Sequence, residues 1–356
     1  MGRKDSKILI LLLLLLTAGC VKDKPGTLTP TNIQGGNCYI VCEGNFGNGD
    51  GTLYAYNAIT DSVSGDVYKA TNNQQLGDVF QSITRMGDSL YLCINNSDKI
   101  VVLDATTRKL AGIINIPKPR YIVQVSAERA YVSSLYNNKV YSINPHNLQQ
   151  TGHTIVPANN TEGMCVIGTN VWACAWDTGS NKVYAIDATN GNITKTTTLP
   201  GYAPHAALKD KDGLLWVLSG NVVKGRTAAL SRIDPSTGAV VKSYIFPAGT
   251  DPIKPVFNPT KDTLYFIEVK YDGSDQHNGI YRMSINDNAL PETPFIQAAK
   301  YQYFWSLGID PASGYIYTGD PRGFVQKGIV QITKQDGTKL SSFEVGLGPG
   351  QFYFDK

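Results

Sequence analysis

The chain has 356 residues, of which 42% are hydrophobic, and its 32 basic and 29 acidic side chains leave a formal net charge of +3. A nearly neutral protein lacks the strong positive potential with which proteins hold phosphate backbones, so we expect no nucleic-acid partner. The length is ample for a large hydrophobic core and suits one large domain.

The N-terminal segment has the features of a secretory signal in the usual order. Basic residues come first, the apolar stretch 8–16 follows, and small residues come after it. This stretch is too short to span a bilayer. Cys20 comes directly after Ala18 and Gly19 and resembles the lipidated cysteine of a bacterial lipobox, although Thr17 stands where a leucine is more usual. We therefore predict lipidation of Cys20, with an ordinary signal peptide as the alternative.

Residues 1–19 are accordingly predicted to be a lipoprotein signal peptide and residues 20–36 a flexible tether. The tether is rich in Lys, Pro, Thr, Gly and Asn and has no apolar periodicity. Its stretch 22–24, Lys-Asp-Lys, partly resembles the charged export signals that send some lipoproteins to the outer face of the outer membrane. These features predict a lipid-anchored protein of the outer membrane that faces the cell exterior, with the periplasmic orientation left open.

A short run that ends in an aromatic residue recurs seven times after the tether. The aromatic residues are Tyr39, Tyr91, Tyr131, Trp172, Trp216, Tyr265 and Tyr317. A repeat of about 40 to 50 residues that is built from strands is typical of propeller blades. Each run is therefore predicted to be the same strand of successive blades.

The repeat at 82–107 is the best formed. It reads as a strand, a Gly87-Asp88 turn, a strand, a polar loop and a third strand, and related copies lie at 138–145 and 181–188. Short β-branched and aromatic runs between Gly, Asp and Asn are typical of strands and hairpins.

The C-terminus supplies an inner strand that the first repeat lacks. Only the tether precedes Tyr39, whereas residues 348–354 have the composition of an inner strand. Pairing of this segment with the first blade would leave no open sheet edge at the seam. The sequence thus predicts an all-β, seven-bladed β-propeller over residues 37–356, closed by a C-terminal strand that pairs into the first blade.

The cysteines other than Cys20 are predicted to be mainly buried thiols. They are Cys38, Cys42, Cys93, Cys165 and Cys174, an odd number, so at least one stays free and one disulfide is possible. No CxxC pair indicates a metal site, and we expect no metal.

Catalytic motifs are absent from the sequence. There is no Gly-x-Ser-x-Gly, no HExxH and no phosphate-binding glycine loop. Of the histidines, His146, His153 and His277 fall in predicted outer turns or loops, and only His205 begins a predicted inner strand. We find no converging Asp, Glu and His residues at the inner strands, so we expect no enzyme and no catalytic residues.

Two kinds of loop open on the same face of a propeller, namely those that lead into the inner strands and those between the second and third strands. Loops of the second kind carry the predicted ligand-binding residues Phe46, Asn95, Asn96, Tyr136 and Trp176. The starts of the inner strands add Arg120, Tyr121, Tyr202, His205, Lys254, Tyr303, Trp305 and Gln351, and the last two repeats add Tyr271 and Arg322. Aromatic rings beside polar groups suit a sizeable organic ligand with a flat or apolar surface. Carbohydrates and tetrapyrrole-like molecules both fit, and burial of individual rings between blades is the alternative.

The repeats also carry a family resemblance. Residues 90–107, with relatives at 138–145 and 181–189, resemble the YVTN/YncE-type propeller repeats, and the resemblance covers nearly the whole chain after Cys20. Together with the lipobox and the aromatic face, the chain resembles the BtuG-type surface lipoproteins. That resemblance implies capture of cobalamin (vitamin B12) as a transported ligand, no cofactor, no catalysis, and a TonB-dependent outer-membrane transporter as partner. Because no short motif is diagnostic of this family, the site residues rest on loop position alone.

Two further functions stay open. A glycan-binding surface lipoprotein would need a platform of aromatic rings, which Tyr301, Tyr303 and Trp305 could supply. A protein-interaction scaffold would use the same aromatic and arginine side chains, since these dominate protein interfaces. A propeller enzyme would need an axial metal or cofactor cage.

Overall fold

The structure is a computed structural model and describes residues 37–270 and 277–355. These residues form 28 strands in seven four-stranded antiparallel sheets, with one short helix, α1 (Val67–Asn72). None of the helices in the described part of the chain is long and apolar enough to cross a membrane. The predicted tether and the lipidated Cys20 lie outside the described residues.

Each sheet is one blade, in which the four strands follow one another from the innermost to the outermost. Blade 1 contains β28 (Pro349–Phe354), β1 (Asn37–Cys42), β2 (Thr52–Asn57) and β3 (Ser62–Ser64). Blade 2 contains β4 (Phe80–Met86), β5 (Ser89–Ile94), β6 (Lys99–Asp104) and β7 (Leu110–Asn115). Blade 3 contains β8 (Pro119–Ser126), β9 (Arg129–Ser134), β10 (Lys139–Asn144) and β11 (Gln149–Ile155). Blade 4 contains β12 (Thr161–Ile167), β13 (Asn170–Ala175), β14 (Lys182–Asp187) and β15 (Ile193–Thr198).

The remaining three blades follow the same order. Blade 5 contains β16 (Pro204–Lys209), β17 (Leu215–Asn221), β18 (Arg226–Ile233) and β19 (Val240–Ile245). Blade 6 contains β20 (Thr250–Phe257), β21 (Thr263–Lys270), β22 (Gly279–Ser284) and β23 (Ile296–Gln297). Blade 7 contains β24 (Ser306–Ile309), β25 (Ile316–Asp320), β26 (Ile329–Thr333) and β27 (Lys339–Glu344).

The inner strands form a closed ring. Each contacts the inner strand of the next blade, in the order β4, β8, β12, β16, β20, β24, β28 and back to β4. At the seam, β28 pairs with β1, where Phe354 lies opposite Cys38, and the Asp355 amide donates to the Asn37 carbonyl at 2.9 Å. The predicted seven-bladed fold and its C-terminal closure are thus confirmed.

Hydrophobic clusters fill every interface between neighbouring blades. Seven clusters of buried residues are present in the described chain, and each joins side chains of two adjacent blades. All seven recurring aromatic residues lie in the second strands and are at most 5% exposed. An aromatic side chain buries about 150–250 Å². The sequence repeat therefore marks the residues that hold blade to blade.

Asp210, in the turn between β16 and β17, is the most heavily bonded carboxylate of the core. Its side chain is fully buried and accepts the backbone amides of Asp212 and Leu214, both at 2.9 Å. It also accepts Trp216 Nε1 at 2.9 Å and Arg232 Nε at 2.8 Å. The carboxylate fixes the turn and compensates the charge of a mostly buried arginine.

We expect Asp210→Asn to lower the free energy of unfolding by about 2 kcal/mol, because the amide places a donor against donors in a buried site. Urea denaturation followed by tryptophan fluorescence measures this loss. The matched control is Asp234→Asn in an exposed turn, where the carboxylate accepts Ser236, and there we expect a loss below about 1 kcal/mol. Equal losses in the two variants would contradict the role given to Asp210.

All five cysteines of the described residues are free thiols, so the possible disulfide does not form. Cys38, Cys42, Cys93 and Cys174 are buried as predicted, whereas Cys165 is half-buried. Burial raises the pKa of Cys42 and of Cys93 to about 12 and that of Cys165 to about 11. These side chains are neutral thiols at physiological pH and pack as small apolar groups.

Candidate functional site

One face of the propeller carries both the loops that lead into the inner strands and the loops between second and third strands; we call it the loop face. Its loops hydrogen-bond from blade to blade. The Gly47 amide donates to the Asp78 carboxylate at 2.9 Å, Asn160 N donates to the Asn137 carbonyl at 2.8 Å, and the Ala203 amide donates to the Ser180 carbonyl at 2.8 Å. Such interlocking holds the loops in place before any ligand binds.

A β-bulge interrupts the inner strand of six blades close to the loop face. The residues displaced from the regular register are Gln81, Arg120, Tyr121, Glu162, Gly163, His205, Lys254, Pro255 and Gly350. Bulges redirect a side chain and are frequent at the rims of barrels and next to functional sites. We call the polar members Gln81, Arg120, Glu162, His205 and Lys254 the bulge ring.

Gly163 shows how tightly this ring is packed. A β-carbon on it would lie 2.6 Å from the His205 carbonyl oxygen and 2.8 Å from Ala206 Cα, both backbone atoms of the next blade. Only glycine allows β12 and β16 to approach so closely.

Arg120 joins three consecutive blades within the bulge ring. Its guanidinium donates from Nε to Glu162 Oε2 at 2.7 Å and from Nη2 to Glu162 Oε1 at 2.5 Å, and from Nη1 to Gln81 Oε1. Gln81 Nε2 in turn donates to Tyr121 Oη at 3.1 Å. Burial alone lowers the pKa of Arg120, but the charge and hydrogen bonds of Glu162 outweigh it, and the net shift is upward. The guanidinium of Arg120 is therefore charged at any physiological pH.

Lys254 belongs to a second polar group at the seam between blades 6, 7 and 1. Its ammonium donates to the Gly350 carbonyl at 3.0 Å and lies 5.6 Å from the centre of the Trp305 ring. Trp305 Nε1 donates to Glu43 Oε1 at 3.0 Å, and its ring meets Phe324 edge to face at 5.3 Å. Cation–π contact of this kind holds both the lysine and the indole in fixed orientations.

His205 lies between these two groups. Its Nδ1 is 3.3 Å from the Ala203 carbonyl, which only accepts, so Nδ1 carries the proton in this contact. Its Nε2 is buried and has no partner among the described residues. Burial lowers the pKa of His205, while the Ala203 carbonyl and the charges of Asp251 and Glu162 act against that shift. The imidazole is neutral at physiological pH.

Exposed aromatic side chains stand on the loop face around this ring. Phe46 is 73% exposed and Tyr136 is 71% exposed, while Trp176 and Tyr202 are about one-third exposed. Trp176 is fixed by the hydrogen bond from its Nε1 to the Gly220 carbonyl at 3.3 Å, and the guanidinium of Arg226 lies 5.0 Å from the Tyr202 ring. These rings offer apolar surface to a ligand.

Other predicted site residues have structural partners. The buried Asn95 donates to the Pro119 carbonyl at 3.3 Å, so it links blade 2 to blade 3 and is not on the open surface as predicted. Gln351 Oε1 accepts the Ile83 amide at 2.9 Å, and Tyr303 packs against the cluster between blades 6 and 7. Arg322 Nη1 lies 3.2 Å from Glu344 Oε1 on an exposed edge.

Asn96 keeps its place on the loop face, where it contacts the Asp78 carboxylate and accepts Lys118 Nζ at 3.0 Å. Tyr271 lies outside the described residues. Of the predicted outer histidines, His146 and His277 lie in loops, whereas His153 lies on the outermost strand β11.

Sequence reasoning missed Gln81, Glu162 and Glu43. Gln81 and Glu162 are each the second residue of an inner strand, the position that Arg120 and His205 occupy in their own blades. Glu162 and His205 lie close enough for the charge of Glu162 to raise the pKa of His205 against the effect of burial. In the residues that the structure describes, no group of three or more His, Cys, Asp or Glu side chains is placed to hold a metal ion.

The three aromatic residues of the glycan alternative differ in their exposure and contacts. Tyr301 is 83% exposed, Tyr303 is partly buried against the cluster between blades 6 and 7, and Trp305 is held by Glu43 and Phe324. The three side chains thus have three different environments.

Comparison with known families and structures identifies relatives of the whole propeller. The family described as "Domain of unknown function (DUF5074)" matches residues 36–346. No curated protein matches the sequence.

Many solved structures share the fold. A quinonprotein alcohol dehydrogenase-like protein from Bacteroides thetaiotaomicron is 18% identical with a TM-score of 0.68, over 92% of this chain and 79% of that one. Kuenenia stuttgartiensis hydrazine synthase is 15% identical with a TM-score of 0.61, over 76% of this chain and 87% of that one. The Cps50 (Swd1) β-propeller domain of Myceliophteria thermophila is 11% identical with a TM-score of 0.58, over 90% of this chain and 99% of that one. At these identities the likeness extends to the fold alone.

Proposed function

This chain belongs to the DUF5074 family, and we propose that its loop face captures a large organic ligand with a flat, partly apolar surface and amide groups at its edge, in the first place cobalamin. The observation that carries the proposal is the arrangement of exposed aromatic rings, Phe46, Tyr136, Trp176 and Tyr202, around the polar bulge ring. Apolar rings with a few converging polar groups are the common composition of small-molecule sites.

The chemistry of the two parts suits such a ligand. The aromatic rings cover apolar surface, and Tyr and Trp keep a polar group for hydrogen bonding. Corrin side chains end in amides, whose oxygens accept hydrogen bonds, and Arg120 and Lys254 each carry N–H groups beyond those that they donate within the protein.

Preorganisation supports capture as well. The loops are bonded to one another across blades, and Trp176 and Trp305 each have a hydrogen-bonded indole. A site that is ordered before binding loses little side-chain and loop entropy when the ligand arrives, so more of the contact energy appears as affinity.

The cellular setting of the proposal rests on the N-terminal sequence. Lipidated Cys20 and the tether of residues 20–36 would hold the propeller at the outer membrane, facing the exterior, and a TonB-dependent transporter would receive the ligand. In this role cobalamin is cargo, and the protein catalyses nothing.

Titration of residues 37–356 with cyanocobalamin, followed by calorimetry and by the change in corrin absorbance, tests the proposal. We expect one-to-one binding that weakens by about 5- to 30-fold in Phe46→Ala and in Tyr136→Ala, because each removes an exposed ring at a cost of about 1–2 kcal/mol. Both side chains are mostly exposed, so the variants should fold normally.

The matched control is Ile59→Ala. Ile59 is also largely exposed, at 81%, but lies in the turn between β2 and β3 on the opposite face. Its substitution should leave the affinity unchanged. Absence of binding at micromolar cyanocobalamin, or equal weakening by Ile59→Ala, would overturn the assignment of ligand and face.

A further inference from the structure

A cleft of about 340 Å³ lies between blades 5 and 6, apart from the bulge ring. Its apolar lining comes from Ile245 and Pro247 at the end of blade 5 and from Leu290 and Pro291 in the loop between β22 and β23. Its polar lining, among the described residues, consists of Thr250, Glu268, Lys270, His277, Tyr281 and Glu292. A half-open cleft of this size accommodates a small organic molecule.

Glu268 on β21 is the unusual member of this lining. The residue is only 6% exposed and lines the cleft, and within the described chain its carboxyl group has neither a hydrogen bond nor an ion pair. Thr250 Oγ1, also buried, has no partner there either. A mostly buried carboxylate without hydrogen-bond donors is costly, since its charge is poorly hydrated and only the nearby charge of Lys270 offsets it.

We propose that this cleft is a second binding site, independent of the loop face, for a small amphipathic primary amine whose ammonium group pairs with Glu268 and whose apolar part packs on Leu290, Pro291, Pro247 and Ile245. An ammonium carries three N–H donors, which suits two oxygen groups that lack a donor. The apolar walls stabilise the hydrocarbon part by burial.

The charges that face Glu268 favour a cation over an anion. Lys270 lies on the same strand, Tyr281 on β22, His277 just before β22, and Glu292 in the following loop. Blade 5 and β20 line the cleft with Ile245, Pro247 and Thr250, none of which titrates. The carboxylates of Glu268 and Glu292 outnumber the single lysine, Lys270, in this lining.

The protonation of Glu268 gives the site a pH dependence. Burial raises its pKa to about 7, against the opposing charge of Lys270. An ammonium needs the ionised carboxylate, which predominates above that pKa, so binding should strengthen between pH 6 and pH 8. The affinity for the amine should rise by about tenfold over this range, because below the pKa the Glu268 carboxyl must lose a proton for each amine that binds.

The test is calorimetric titration of residues 37–356 with 2-phenylethylamine, next to its neutral analogue 2-phenylethanol; the seven sheets are complete within residues 37–355, so this part contains the whole fold. We expect the amine to bind at pH 8 and the alcohol to bind about tenfold more weakly or not at all. Glu268→Gln should lower the affinity for the amine by about tenfold. Glu292→Gln, which changes an exposed carboxylate at the rim of the cleft, should lower this affinity by less than about threefold.

Thermal unfolding provides a second measurement. Glu268→Gln mimics the protonated carboxyl, so it should raise Tm by a few degrees at pH 8 and change it little at pH 5. Equal affinities for the amine and the alcohol, unchanged affinity in Glu268→Gln, or no binding of the amine at millimolar concentration would each overturn the proposal. The affinity for cyanocobalamin should be the same in Glu268→Gln as in the parent, which separates this site from the loop face.

Discussion

Deletion of residues 347–356 is expected to abolish cooperative folding of the propeller. The deletion removes β28, the inner strand of blade 1, and with it Phe352 and Phe354, whose rings lie 5.8 Å and 5.0 Å from that of Tyr317. Loss of one buried phenylalanine side chain costs about 3–5 kcal/mol. The lost backbone pairing and the opened ring add to this cost. The total is comparable with the whole free energy of unfolding of a typical domain, about 5–15 kcal/mol.

Circular dichroism during urea denaturation measures this effect. Phe352→Ala serves as the graded control, because it keeps β28 and should lose about 3–5 kcal/mol while unfolding cooperatively. If the truncated protein unfolds in a single transition within about 2 kcal/mol of the parent, β28 does not close the ring in the way described.

Arg120→Met is expected to destabilise the propeller by about 3–5 kcal/mol and to abolish ligand capture at the loop face. The substitution leaves Glu162, whose side chain is 6% exposed, as a buried charge without its partner. It also removes the donors that fix Gln81. The expected loss of affinity is at least about a hundredfold, since both the guanidinium and the geometry of the bulge ring disappear.

A double-mutant cycle with Glu162→Gln separates the charge effect from the packing effect. Because Glu162→Gln removes the stranded charge, the double variant should recover about half or more of the lost stability, but not the affinity. The exposed pair of Arg322 and Glu344 is the control, and Arg322→Met should cost less than about 1 kcal/mol. If Arg120→Met costs no more stability than Arg322→Met, Arg120 does not hold the bulge ring together.

The fold could be predicted in detail because its determinants are local and repeated. Trp172 and Trp216 occupy the same position in successive blades, and both are fully buried between blades. The missing inner strand of blade 1 was equally visible, since residues 348–354 had no other place in a ring of four-stranded sheets. Because the same pattern recurs in every blade, the prediction for one blade supported the prediction for the others.

The site was only partly predictable, because it depends on irregularities in that repeat. Phe46 and Tyr136 were placed correctly on exposed loops, since loop position alone determines their exposure. Asn95 was misplaced because its loop forms a tight 3-10 turn that directs the amide into the next blade. The bulges at Gln81 and Glu162 arise from the register between two strands, which no short stretch of sequence encodes.

The direction of β1 fixes how the propeller is presented to its surroundings. The strand runs from Asn37 to Cys42 and then enters the loop that carries Phe46, so the loop face lies at its C-terminal end and Asn37 lies at the opposite face. The aromatic rings of the loop face therefore stand on the side of the propeller opposite to Asn37, where the described chain begins. If the chain is anchored through its N-terminal segment, as proposed, the whole thickness of the propeller separates the anchored side from the loop face.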